Sequence, residues 1–143
     1  MKRILFLTYA VLCMMVMFSC GKDENGDGGL GDNSGLKGTT WTKLAAEHPF
    51  LNDFPSYDNT IDNYTYTKVY GVEQVGFFDY NCAQEVFSTY ADKLATAGFE
   101  KEDIGLDSNT SALYSKTVES AELTVSLAYS AGSFAAVFAN IPK

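Results

Sequence analysis

The chain has 143 residues, enough for one domain or two very small ones. Ten Lys and Arg against eighteen Asp and Glu leave a net charge of −8, and aromatic residues make up 14%. This balance excludes a disordered chain, a collagen-like chain and a multi-span membrane protein. It also argues against nucleic acid as the main partner, because phosphate recognition needs an excess of Lys and Arg.

Lys2 and Arg3 give the chain a charged start, and Ile4 to Phe18 is an uncharged, mostly apolar run. A helix needs about 20 apolar residues to cross a bilayer, so this run fits the core of a secretory leader better than a permanent span. It ends in Met17-Phe18-Ser19-Cys20-Gly21, which resembles a bacterial lipobox. Ser19 takes the small position and Cys20 that of the acylated residue. The resemblance implies a leader over residues 1–19, removed to leave a fatty-acylated, palmitate-bearing Cys20. An ordinary secretory signal and an uncleaved anchor are the alternatives. Cys13 is a poorer acylation site, because bulky Leu12 precedes it inside the apolar run. One acyl chain binds a membrane marginally, at about 0.8 kcal/mol per buried CH₂, so a stable anchor needs several.

Residues 20–38 read as the acylated Cys and a Gly- and Asp-rich tether with too few apolar residues to bury a core. As a flexible coil it has a mean span of about 23 Å. Lys22-Asp23-Glu24, directly after Cys20, resembles the Lys-plus-two-acids export signal of Bacteroidetes surface lipoproteins. That resemblance implies an outer-membrane lipoprotein exposed at the cell surface, with a periplasm-facing lipoprotein as the alternative. Asp23, Asn25, Asp27 and Gly28 follow the start of a calcium loop, but Ser34 stands where its bidentate Glu is required. The stretch therefore reads as a solvated spacer.

Residues 39–143 read as a single α+β domain. Trp41 to Glu47 suits a short helix ahead of Pro49, and Pro49 and Pro55 bracket a loop around Phe50 and Phe54. Tyr64 to Val72 reads as a strand with Tyr64, Tyr66 and Tyr70 on one face. Ala83, Val86, Phe87, Tyr90, Leu94 and Ala97 form an apolar stripe that predicts a helix over Cys82 to Ala97. Asn81 suits its N-cap, with Gln84 completing a capping box, and Gly98-Phe99 suits a Schellman ending. Strands follow over Leu113 to Val118, Leu123 to Tyr129 and Phe134 to Ile141, joined by turns at Glu119-Ser120-Ala121 and Ser130 to Ser133. The last strand is apolar on both faces and suits a central position. The expected fold is an antiparallel sheet of about four strands with one long helix packed on one face, in the order short α-β-α-β-β-β.

Phe54-Pro55-Ser56-Tyr57, Asp79-Tyr80, and the spacing of Tyr90, Leu94, Gly98 and Phe99 resemble the small Bacteroidetes lipoprotein domains with a Y-x₃-L-x₃-GF helix. The resemblance implies a small α+β fold and brings no catalytic residues with it. Cys82, the one thiol of the domain, would gain thiolate character near a helix N-terminus, and His48 is the one imidazole available as its base. No metal-ligand spacing and no nucleophile-elbow, zincin, Walker or Rossmann pattern is present. Neither a cofactor nor a metal is expected. Glu100, Glu102, Asp103 and Asp107 crowd after the helix as a solvated loop, with a paired-carboxylate site or a cation-binding site as the alternatives. Exposed tyrosines can stack on sugars or anchor a protein, so Tyr64, Tyr66 and Tyr70 are the candidate ligand-binding cluster. The function expected is a non-enzymatic binding module, lipid-anchored in the envelope, for a protein, peptide or glycan. A structural accessory subunit of an outer-membrane complex and a hydrolase built on scattered carboxylates are the alternatives.

Overall fold

The computed structural model describes residues 38–105, 107 and 109–143. The leader, Cys13, Cys20, the Lys22-Asp23-Glu24 signal and all but the last residue of the tether lie outside them. The first helix, α1, spans Trp41–Glu47, where Thr40 caps it by accepting the Lys43 amide at 3.4 Å. A 3₁₀ turn follows over Pro49–Asp53. Next come β1 (Asn63–Val69), β2 (Val72–Tyr80) and the longer helix α2 (Glu85–Thr96). The chain ends in β3 (Glu100–Glu102), β4 (Ser111–Thr117), β5 (Ala121–Ser130) and β6 (Ser133–Pro142).

The architecture is α+β, with a sheet in the order β1-β2-β6-β5-β4-β3 and every pair antiparallel. Among the described residues it has six strands rather than about four, and two helices share its face rather than one. The stretch expected as one strand from Tyr64 to Val72 folds back at Tyr70-Gly71 into a hairpin, pairing Val69 with Val72. Glu100 and Glu102, expected in a loop, form the edge strand β3.

Cross-strand partners share a face, so the register defines the core. Tyr64, Phe77, Ala136, Leu127 and Ala112 form one row, and Tyr66, Val75, Phe138, Val125 and Tyr114 the next. Both helices cover these rows. From α1, Trp41 meets Phe138 edge-on at 5.2 Å, and from α2, Tyr90 meets Phe134 and Phe138, each at 6.1 Å. Strand β6 lies inside the sheet, and Ala135, Val137 and Ala139 on its other face are buried too.

Helix α2 starts at Glu85 rather than Cys82, because the preceding residues belong to the sheet's end. Asn81 has φ 63, and the Cys82 amide donates to the Gly132 carbonyl at 2.8 Å. Gln84 takes the N-cap position without a side-chain hydrogen bond, so the capping box does not form. The ending is as read. Gly98 has φ 86, its amide donates to Ala95 and the Phe99 amide to Leu94, which is a Schellman motif. Lys116 adds a hydrogen bond to the Ala97 carbonyl at 2.7 Å, a cation at the negative end of the helix dipole.

Two hairpins have two-residue turns with positive φ at both central positions: Tyr70-Gly71 (50 and 81) and Ala131-Gly132 (50 and 80). This is the type I′ signature, whose first position favours Asn, Asp or Gly. A bulky residue in the left-handed region costs about 1–2 kcal/mol, and the Tyr70 ring is fully exposed, with no packing to offset that cost. Tyr70→Asn should therefore raise stability by about 0.5–1 kcal/mol. A lower urea midpoint in the variant would contradict this turn geometry.

Candidate functional site

The three candidate tyrosines are not one cluster. Tyr64 and Tyr66 point to the helix-covered face, whereas Tyr70 lies in the turn beyond the end of β1. Tyr64 is 1% exposed and donates to Glu47 at 3.0 Å, while Tyr70 is 101% exposed. The Tyr64 ring is thus unavailable for stacking on a ligand. Val69, beside Tyr70, is also exposed.

Half-buried Tyr66 belongs to a polar cluster under α1. Its hydroxyl donates to Glu73 at 2.9 Å, and its ring stacks on His48 at 4.2 Å. Burial holds the His48 imidazole below its ordinary value of 6.5, while the carboxylates of Glu47 and Glu73 pull it upward. Tyr64 and Tyr66 are raised, by burial first and then by their hydrogen bonds to Glu47 and Glu73.

Cys82 lies toward the other end of β2. Its thiol donates to the Asp79 carbonyl at 3.5 Å, and its own carbonyl accepts from Tyr129 at 2.9 Å. Burial, followed by the nearby Asp79 charge, pushes the thiol up and away from thiolate, opposite to the expectation from a helix N-terminus. From Glu73, beside His48, to Asp79, beside Cys82, the strand rises about 20 Å. The structure therefore does not bring the imidazole and the thiol together. The carboxylates after α2 are dispersed as well. Glu102 accepts from Ser115 at 2.6 Å, and Asp103 and Asp107 accept the amides of Gly105 and Asn109 as Asx turns. Among the described residues, no group of three or more His, Cys, Asp or Glu is placed to hold a metal ion, and no helix is long and apolar enough to cross a membrane.

A cleft that no motif announces lies between residues 57–59 and the outer side of α2. Its volume is about 210 Å³, with Tyr57, Val86 and Tyr90 lining it and Asp58, Glu85 and Lys93 around them. The Tyr57 and Tyr90 rings meet edge to face at 5.8 Å. Lys93 holds the loop to the helix, donating to Asp58 at 2.6 Å and to the Ser56 carbonyl at 3.0 Å. Tyr90 donates to the Pro55 carbonyl at 2.6 Å. Behind the cleft the buried Asp79 carboxylate accepts from the Tyr57 hydroxyl and, at 3.3 Å, from the Asn59 amide. Burial, then the hydrogen bond to Asp79, raises Tyr57 far above the ordinary tyrosine range, and burial does the same to Tyr90. Both phenols therefore stay protonated across the physiological range. The signal that marked this region was the Pro55-Ser56-Tyr57 segment ahead of a helix bearing Tyr90, which reads equally well as packing.

No protein-family model, no curated protein and no solved structure matches the chain.

Two measurements check this arrangement. Tyr57→Phe should destabilise the fold by about 1–3 kcal/mol, because it strips the Asp79 carboxylate of its buried donor; an unchanged urea midpoint would contradict that role. The folded imidazole of His48 stays neutral to lower pH than the unfolded one. Its contribution is therefore complete above 6.5 and lost as pH falls through the depressed folded value. Relative to the native chain, His48→Gln should lose less stability between about pH 7.5 and pH 5. Parallel unfolding curves at both pH values decide the point.

Proposed function

We propose that the chain is a non-enzymatic binding module, lipid-anchored at Cys20 in the outer membrane and exported to the cell surface by Lys22-Asp23-Glu24. In this reading it belongs with the small α+β lipoprotein domains, and the tether presents the domain to a protein partner. The observation that carries the reading is the display of Tyr70. The described chain joins the sheet where Thr39 pairs with Ile61, just ahead of β1. Tyr70 projects beyond the last residue of that strand, so the seven-residue strand sets it about 25 Å from the point of attachment. The ring is held out in a backbone conformation that costs stability and returns no packing. Tyrosine is enriched among the anchors that supply most of the binding energy at protein interfaces. Val69 extends the apolar tip. A protein socket fits a single projecting knob better than a glycan does, because no second exposed ring lies beside Tyr70 to form a stacking platform among the described residues.

The test is capture of an envelope partner by the native chain and by Tyr70→Asn, followed by identification of what is retained. The variant should keep its fold, with a melting temperature no lower than that of the native chain, while losing the partner by tenfold or more, as expected for an anchor worth about 2 kcal/mol. Equal capture by both chains would remove Tyr70 from the interface. Metabolic labelling with a fatty acid, lost in Cys20→Ser, tests the anchor separately.

A further inference from the structure

A second cleft lies along a different flank of α2, between that helix and the β3-β4 end of the sheet. Its volume is about 420 Å³, inside the range of roughly 300–1,000 Å³ common to small-molecule sites. The sheet order sets β3 five strand spacings from β1, about 24 Å. The cleft is thus separate from the displayed Tyr70 tip.

Tyr114 of β4 lies at its base, buried to 6% exposure. Its hydroxyl has no hydrogen-bond partner among the described residues. Buried hydroxyls are nearly always paired, and the other buried tyrosines obey that rule. Tyr57 donates to Asp79, Tyr64 to Glu47 and Tyr90 to the Pro55 carbonyl. Among the described residues, Asn140 Oδ1 is the one side-chain polar atom both sealed from solvent and unpartnered. The Tyr114 oxygen therefore opens into the cleft. Burial, then the charge of Asp92, raises this phenol, so it stays a proton donor.

The walls are polarised. Lys101 of β3 is the cross-strand partner of Tyr114, so the two side chains stand on one face as neighbouring donors. Opposite them, α2 presents the exposed carboxylates of Asp92 and Glu85. None of these three charges is in an ion pair among the described residues. A lone anion entering the cleft meets the two carboxylates, and a lone cation meets the Lys101 ammonium. Donors on the sheet side and acceptors on the helix side match a ligand that carries both charges. The partly buried Ala91 methyl lies between them as an apolar contact.

We propose that this cleft binds a small zwitterion, its carboxylate held by the Lys101 ammonium and the Tyr114 hydroxyl, its ammonium by Asp92 with Glu85 beside it. Both ends then form charge-assisted hydrogen bonds, the stronger class. A free amino acid and a short peptide share this chemistry.

The experiment follows the Ala91 methyl, Tyr114 ring and Lys101 methylene signals by NMR in the full chain. The probes are L-alanine, L-alanyl-L-alanine, N-acetyl-L-alanine, L-alaninamide and glucose. At least one zwitterion should shift all three sets of signals. The acetylated and amidated probes each lack one charge and should bind about tenfold more weakly. Tyr114→Phe removes only an unpartnered hydroxyl, so it should keep the melting temperature while weakening the zwitterion about fivefold. Should that variant fail to fold, the exposed substitutions Lys101→Met and Asp92→Asn decide the question, each with an expected loss of about tenfold. Tighter binding of the dipeptide identifies a peptide as the source of the zwitterion, and tighter binding of alanine a free amino acid. Singly charged probes or glucose binding as well as the zwitterions, or no site-specific shift at millimolar probe, would overturn the proposal.

Discussion

Two rings on one strand organise this molecule. Phe134 and Phe138 of β6 are both completely buried, and both helices, together with Phe54 and Tyr57 between them, are packed against one or both rings. Phe138 meets Trp41 of α1, Phe54 after the 3₁₀ turn, Phe77 of β2 and Tyr90 of α2. Phe134 meets Tyr57, Phe87 and Tyr90. Neither helix is long, so tertiary packing rather than helix propensity holds them in place. The large planar side chains supply both the buried area and the preferred edge-to-face geometry for doing so.

The cleft inherits its shape from this ring packing. Tyr57 stacks on Phe134 at an interplanar angle of 9°, which fixes the loop carrying Asp58 and Asn59. Tyr90 meets Phe134 with its ring and holds Pro55 with its hydroxyl, tying the same loop to α2. Asp79 shares the arrangement, since it pairs with Phe134 across the strands and takes the Tyr57 proton donor. A buried carboxylate with neutral donors is costly to leave unsatisfied, so polar network and aromatic core reinforce one another.

The legible parts of the sequence were those governed by local rules. The stripe from Val86 to Leu94 and the Gly98-Phe99 ending sufficed for α2 and its C-terminus, and alternation along Leu123 to Tyr129 sufficed for β5. Strand β2 was missed because Glu73, Gln74 and Gly76 interrupt its apolar residues, and because Tyr-Gly is a poor advertisement for a type I′ turn that usually carries Asn-Gly or Asp-Gly. Without that turn, Tyr64, Tyr66 and Tyr70 looked like neighbours on one face. The N-terminus of α2 was set by long-range contact, with Cys82 held to Gly132, which no local capping pattern contains. The cleft depends on a hydroxyl from residue 57 meeting a carboxylate at residue 79, and such pairings lie beyond any periodicity in the chain.

The sheet leaves two edges, and they are unlike in length. Strand β3 has only three residues, Glu-Lys-Glu, and β1 carries an exposed Lys68 near its turn. Short or lysine-bearing margins make poor templates for another chain's backbone. Where many copies gather in close quarters, this discourages them from zipping together into fibrils.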